Sequence, residues 1–187
     1  MKANFSPLLT QYLAELEKSA HKAGILDLAC GSGRNGLYLV ERGLPVTFAD
    51  KSTDALEEIG ECLTADNYSP GRELAQLWPV NFELANTSPL TGKTFGAVLV
   101  FRYLHRPLMP GIKNCIAPGG MIIYETFTLG QREFGRPRRD EFLLKPEELA
   151  SYFADWQILH SFEGVVPANN EAGAQAIAQL VAIKPEV

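Results

Sequence analysis

The stretch Ile25 to Gly43, ILDLACGSGRNGLYLVERG, decides how the rest of the chain is read. Ile25 to Ala29 is an apolar run of strand length, and Gly33 to Arg42 has the spacing of a helix that Gly43 closes. Between them lies Gly31-Ser-Gly33-Arg-Asn-Gly36, where glycines permit tight backbone conformations and let a ligand reach the main chain without a Cβ in the way. Amides in such a turn suit a phosphate or a carboxylate. The letters also fit the fingerprint of a dinucleotide site, but on their own they do not separate a pyrophosphate from another ligand.

The flanks separate them. Asp27 stands inside the first strand, where a dinucleotide-binding strand is wholly apolar. A carboxylate buried there needs backbone amides or a cationic ligand, because burying it alone costs on the order of several kcal/mol. It would repel a pyrophosphate and attract an ammonium. The next strand, Pro45 to Ala49, leads to Asp50, nineteen residues after Gly31, the separation at which an acidic side chain accepts hydrogen bonds from a ribose diol. The alternative for Asp50 is a cap on the helix that follows.

Working outward, Ser6-Pro7 opens an amphipathic helix carrying Leu8, Leu9, Tyr12, Leu13 and Leu16. Ser52 caps a helix with Ala55, Leu56, Ile59, Cys62 and Leu63 at helical spacing. Val80 to Glu83 and Phe95 to Phe101 read as the third and fourth strands, the latter unbroken enough for the centre of a parallel sheet. A proline-interrupted helix over Arg106 to Ala117, a turn at Pro118-Gly119-Gly120 and a fifth strand over Met121 to Thr126 follow. After a helix at Pro146 to Phe153, Trp156 to Phe162 and Ala176 to Ile183 are joined too closely for a crossover helix and suit an antiparallel pair. The expected fold is α/β: a doubly wound, Rossmann-like, seven-stranded sheet, mostly parallel with an antiparallel C-terminal hairpin. Its ligand should lie beyond the carboxyl ends of strands one and four.

Composition fits one domain over 1–187: an N-terminal helix (1–23), a ligand-binding core (24–126), a possible lid (127–145), and a C-terminal helix with its hairpin (146–187). The chain has 187 residues, 46% hydrophobic and 21% charged, with a formal charge of −5 that disfavours nucleic acid as the main partner. Cys30, Cys62 and Cys115 are widely spaced and odd in number, which suggests neither disulfides nor a zinc cluster. MKANFSPLLTQYLAELEK lacks a signal-peptide core, and no apolar run is long enough for a bilayer, so a cytoplasmic protein without membrane attachment is expected.

ILDLACGSGRNGLYLVERG and VTFADKS together resemble motifs one and two of the class I S-adenosylmethionine-dependent methyltransferases, and the terminal hairpin is similar to that superfamily's ending. The likeness extends to FGAVLVFRYLHRP and APGGMIIYETF. Within the superfamily the chain resembles small bacterial enzymes similar to tellurite-resistance methyltransferases. The resemblance implies S-adenosyl-L-methionine as cofactor, with S-adenosyl-L-homocysteine as product. Asp27, Ala29, Gly31 and Gly33 would shape the methionine pocket, and Asp50, with Lys51, would meet the ribose. Glu83 and Leu84 would meet the adenine, Asn86 being an alternative for its amino group, and Phe101, at the end of strand four, is a further cofactor-binding candidate. The acceptor would sit at FRYLHRPL, near Arg102, Tyr103, His105 and Arg106.

His105 suits proton removal or orientation of the acceptor, and Arg106 bidentate binding of an anion, unless the pair is only a solvated junction between loop and helix. Glu125 is a further catalytic candidate, its alternative being a buried carboxylate that ties down a loop. Arg132, Arg136, Arg138 and Arg139 lie in a glycine-hinged segment that reads either as a lid, with Arg136 on the substrate, or as a surface loop whose acidic neighbours partly cancel its charge. Cys30 reads as a packing residue. The chain lacks the Asn/Asp-Pro-Pro-aromatic tetrad that the resemblance ties to amide or exocyclic amine methylation. A small, soft or anionic acceptor is expected. The rivals are a nicotinamide-dependent oxidoreductase, a non-catalytic cofactor-binding partner subunit and an RNA methyltransferase. Oligomeric state is not legible.

Overall fold

The computed structural model describes residues 5–64, 72–168 and 173–186. Seven strands form one sheet: β1 (Ile25–Leu28), β2 (Val46–Asp50), β3 (Ala75–Pro79), β4 (Phe95–Phe101), β5 (Ile116–Phe127), β6 (Gln157–Pro167) and β7 (Ala174–Ile183). Their order is β3-β2-β1-β4-β5-β7-β6. β1 to β5 are parallel, and β7 runs antiparallel to both β5 and β6. The expected mostly parallel sheet with its antiparallel ending is therefore present.

The sheet is covered on both faces, so its central strands are apolar throughout. Every residue of β1 and β4 is buried. On one face Ile25, Phe48, Ala97, Leu99 and Ile123 pack under α1 (Pro7–Gln11), α2 (Leu13–Ala23), α3 (Arg34–Val40) and α4 (Thr53–Thr64). On the other, Leu26, Val98, Val100, Ile122 and Tyr124 pack under α5 (Met109–Cys115) and α6 (Glu148–Tyr152), with Phe153 and Trp156 beside them. Among the described residues no helix is long and apolar enough to cross a membrane.

Several boundaries differ from the sequence reading. The first helix is two, α1 and α2, because the backbone turns out of the helical region at Tyr12, with φ −115°. Ser6 caps α1 as expected, its hydroxyl accepting from the Leu8 amide at 3.4 Å. The third strand is Ala75–Pro79, not Val80 to Glu83, which lies in the loop beyond it. Among the described residues β3 pairs only with β2, and as an edge strand it tolerates both its exposed side chains and its terminal proline. The expected turn at Pro118-Gly119-Gly120 lies within β5, where the register with β4 shifts between the Phe95 and Ala97 pairings. A 3-10 turn, Arg106–Leu108, precedes α5 in place of one longer helix.

Candidate functional site

The carboxyl ends of β1, β2 and β4 converge on the glycine turn. Ala29, Gly31 and Gly33 all take positive φ, 53°, 53° and 68°, so the chain coils tightly between β1 and α3. A Cβ on Gly31 would meet nothing within 4 Å, which leaves its backbone open to a ligand. A Cβ on Gly33 would meet Ile59 Cδ1 at 2.6 Å, so this glycine lets α4 pack against the turn. Asp50 closes the arrangement: its Oδ2 accepts from Gly31 N–H and its Oδ1 from Ser52 N–H, both at 2.9 Å. The carboxylate is thereby fixed in place while each oxygen keeps further acceptor capacity.

Asp27 lies beneath this turn, 2% exposed. Its Oδ2 accepts from Gly36 N–H at 2.9 Å, the backbone partner that its burial demands. Burial raises its pKa to about 7, against the lowering effects of the Gly36 bond and the nearby Arg34, with Asp50 adding to the rise. The Cys30 thiol is driven well above its ordinary value by burial and by Asp27 and Asp50, which suits packing and not nucleophilic chemistry.

Beside the turn opens a cleft of about 190 Å³. Ala29, Asp50, Lys51, Glu83, Arg102 and Tyr103 line it, together with Val80, Asn81 and Phe82. Lys51 pairs with Glu83 at 3.2 Å across its exposed rim. The Tyr103 hydroxyl is buried and has no hydrogen-bond partner among the described residues. Burial and the neighbouring Glu83 and Asp50 carboxylates hold its pKa above the ordinary phenol value.

The cleft thus gathers six of the expected residues, Ala29, Asp50, Lys51, Glu83, Arg102 and Tyr103, next to Gly31 and Gly33. It does not gather all of them. Leu84 is 58% exposed and does not line it: β3 ends at Pro79, so Val80, Asn81 and Phe82, which follow it directly, occupy the wall instead. Phe101 is buried in the core face under α1 to α4 and is not a lining residue. The signal for Asn81 was its place just after β3, hidden while β3 itself was misplaced.

His105 and Arg106 border a second groove of about 440 Å³ with Leu104, Phe142 and Glu141, and Glu83 is the wall it shares with the cleft. Arg106 does not offer its fork to that groove. Nε and Nη2 hold Glu148 at 2.6 and 2.8 Å, Nη2 also holds Leu143 O at 2.8 Å, and Nη1 holds Glu141 O at 3.1 Å and Asp140 O at 3.4 Å. Those five contacts use every N–H of a guanidinium. The solvated-junction alternative is also corrected, since Arg106 ties α6 and the 140–143 segment to the start of α5. We expect Arg106→Gln to destabilise the fold by about 2 kcal/mol, through a Glu148 left without its fork. Urea unfolding measures this; unchanged stability would return Arg106 to the ligand.

Glu125 is 4% exposed and also faces protein groups. Its Oε1 pairs with Arg102 Nη2 at 3.0 Å and its Oε2 accepts from Gln179 Nε2 at 2.6 Å. Arg136 is exposed and lines neither cavity, its carbonyl accepting from Gln131 Nε2 at 3.1 Å. The base of the 127–145 segment is fastened by Leu129 N–H to Leu144 O at 3.0 Å and by Leu144 N–H to Phe127 O at 2.9 Å. Within its tip, Arg132 pairs with Asp140 and Arg139 with Glu141.

The sequence has known relatives. Two probable S-adenosyl-L-methionine-dependent methyltransferases TehB, from two strains of Haemophilus influenzae, are each 26% identical to it, over 145 and 144 residues. In both cases the match covers 75% of this chain and 48% of the relative, so the chain spans about half the length of these curated relatives. The crystal structure of TehB from Haemophilus influenzae superposes with a TM-score of 0.69 at 19% identity, over 95% of this chain and 65% of that one. The glycopeptide N-methyltransferase MtfA, complexed with S-adenosyl-L-methionine, superposes with a TM-score of 0.62 at 17% identity, over 94% of this chain and 87% of that one. At those identities the two structures speak for the fold. The model of the tellurite resistance protein TehB family matches residues 13–174, most of the sequence, and the chain belongs to that family.

Proposed function

We propose that the chain transfers the methyl group of S-adenosyl-L-methionine to a small-molecule acceptor. The observation that carries this is the Asp50 carboxylate, which lines the cleft and is fixed there by two backbone amides, one of them that of Gly31 in the glycine turn. Free lone pairs on an immobilised carboxylate suit the two hydroxyls of a ribose. Val80 and Phe82 provide an apolar wall for the adenine plane, and Asn81 and Glu83 its edge. Asn81 Oδ1 already accepts from the Glu83 backbone N–H at 2.9 Å, which orients the Asn81 side chain, while Lys51 holds the Glu83 carboxylate at 3.2 Å. Asp27 supports the floor of the turn, and its proximity disfavours a pyrophosphate at the same amides.

When bound, the cofactor supplies a sulfonium methyl, an already activated carbon, so the protein's task is alignment of the attacking atom with it. Ala29 and Tyr103 confine the ligand at the ends of β1 and β4. His105 borders the groove that shares Glu83 with the cleft; there it would orient the acceptor and accept its proton where the acceptor arrives protonated. The fastened base of the 127–145 segment restricts any lid movement to its tip, where Arg136 would meet an incoming acceptor.

The test is calorimetric titration of the chain with S-adenosylhomocysteine and, separately, NADH, in wild type and Asp50→Ala. Micromolar binding of S-adenosylhomocysteine, weakened about thirtyfold in the variant, is expected, since an ionic hydrogen-bonding group is worth about 2 kcal/mol. Preference for NADH would replace the reading with an oxidoreductase.

A further inference from the structure

Arg102 has a buried donor with nothing to bind. Its Nη1 is buried and has no hydrogen-bond partner among the described residues, and Arg102 lines the cleft next to Tyr103, whose hydroxyl is in the same condition. A buried donor left unpaired costs about 1–3 kcal/mol, more for a charged group, so such a pair of atoms calls for an explanation. The rest of the residue is held firmly. Arg102 takes a φ of 58°, a conformation disfavoured for a side chain of this size, immediately after β4. Its N–H donates to Glu125 O at 2.8 Å, Nη2 pairs with Glu125 Oε1 at 3.0 Å, and the guanidinium lies 4.5 Å from the centre of the Phe127 ring.

The support extends across the sheet. Gln179 Nε2 donates to Glu125 Oε2, and Gln179 Oε1 lies 3.1 Å from His160 Nε2. Glu125 and Gln179 are direct register partners on β5 and β7, so this polar line is built into the strand pairing. Burial disfavours the charged guanidinium and Glu125 opposes that effect, with Arg34 close enough to add repulsion. An arginine does not escape such a site by losing its proton. A preorganised, buried cation with a free donor matches an anionic oxygen.

Resting on the methyl-transfer reading, we propose that Arg102 is the anion receptor of the cleft, Nη1 taking an oxygen of a carboxylate or comparable oxyanion. Glu125 is then a positioning residue that acts through Arg102. Two parts of a reacting pair carry this chemistry: the α-carboxylate of the donor's amino-acid tail and an anionic group on the acceptor. Arg102 follows β4, on the far side of β1 from Asp50, where either can reach.

The full chain is titrated calorimetrically with S-adenosylhomocysteine and with its decarboxylated analogue, and sulfate is titrated into the S-adenosylhomocysteine-saturated protein. Wild type is compared with Arg102→Gln/Glu125→Gln, which removes both buried charges together. If the double variant does not fold by circular dichroism, Arg102→Lys takes the same titrations, since it keeps the charge and loses the fork. A loss of at least tenfold for S-adenosylhomocysteine, with less than twofold change for the analogue, assigns Arg102 to the donor's carboxylate. Unchanged nucleoside binding with sulfate bound by wild type and not by the variant assigns it to the acceptor. Equal losses for both nucleosides, or no change in any titration, overturn the Arg102 proposal and leave the donor reading standing. A wild type that binds sulfate through Arg102 but neither nucleoside keeps the receptor and removes the donor reading; binding of nothing removes both.

Discussion

Gly96→Ala is expected to destabilise the fold by about 3 kcal/mol or more and to lower the melting temperature by about 10 °C. Gly96 is the second residue of β4, and a Cβ there would lie within the van der Waals radius of the Ser19 carbonyl oxygen, 2.8 Å from Ser19 C and 3.2 Å from Ala23 N. These are backbone atoms of α2, and Ser19 and Ala23 stand one helical turn apart, so the methyl would press into the helix's own hydrogen bond. No side chain can swing aside to relieve it. The helix end is also tied to the same strand, because Gly24 O accepts from Gly96 N–H at 2.8 Å and from Ala97 N–H at 3.2 Å. Displacing α2 therefore breaks the bonds that align it with the central strand. Thermal unfolding followed by circular dichroism measures the effect, and a shift under 2 °C would show that α2 slides freely over β4.

Asp27 sets a pH dependence of comparable size. Its folded pKa is raised to about 7 from an ordinary 3.8, so the folded state holds a proton that the unfolded chain releases. Stability from this group is complete below pH 3.8 and is lost as pH rises through about 7. Between pH 5 and 8 the loss amounts to about 3 kcal/mol at 1.4 kcal/mol per unit. Asp27→Asn retains an acceptor for the Gly36 amide and carries no charge to bury, so it should lack this component. The expected outcome is a wild type that loses stability relative to the variant on going from pH 5 to 8, in urea melts at each pH. Parallel curves for the two proteins would show that water or a compensating charge reaches the carboxylate.

The sequence exposed the site where its residues follow one another in a single βαβ unit. Gly31, Gly33 and Asp50 fall in one such unit, and turn chemistry plus one spacing sufficed to bring them together. Beyond that unit legibility declined for identifiable reasons. β3 is an edge strand with little burial, so its apolar signal was weaker than that of the loop after it, and Glu83 was found with Leu84 in place of Asn81. Arg106 and Glu148 lie 42 positions apart, and only the packing of α6 against α5 reveals that a residue with the chemistry of an anion binder is occupied within the protein. Arg102 was visible at the end of β4. Its unpaired nitrogen was not, because an absent partner is a property of three-dimensional surroundings.

The position of β7 has a consequence for biosynthesis. It follows the other six described strands in sequence yet lies between two of them, hydrogen-bonded to β5 on one side and β6 on the other. While the polypeptide emerges from the ribosome, β1 to β5 can assemble without it, and the outer edge of β5 then stands open with no cognate neighbour. β6 arrives next and has no place against that edge, so the nascent sheet must wait for residues 174–183 before its last two strands can dock together. The same delay postpones the Gln179 bond to Glu125, so the support behind Arg102 is completed only after residues 174–183 have emerged.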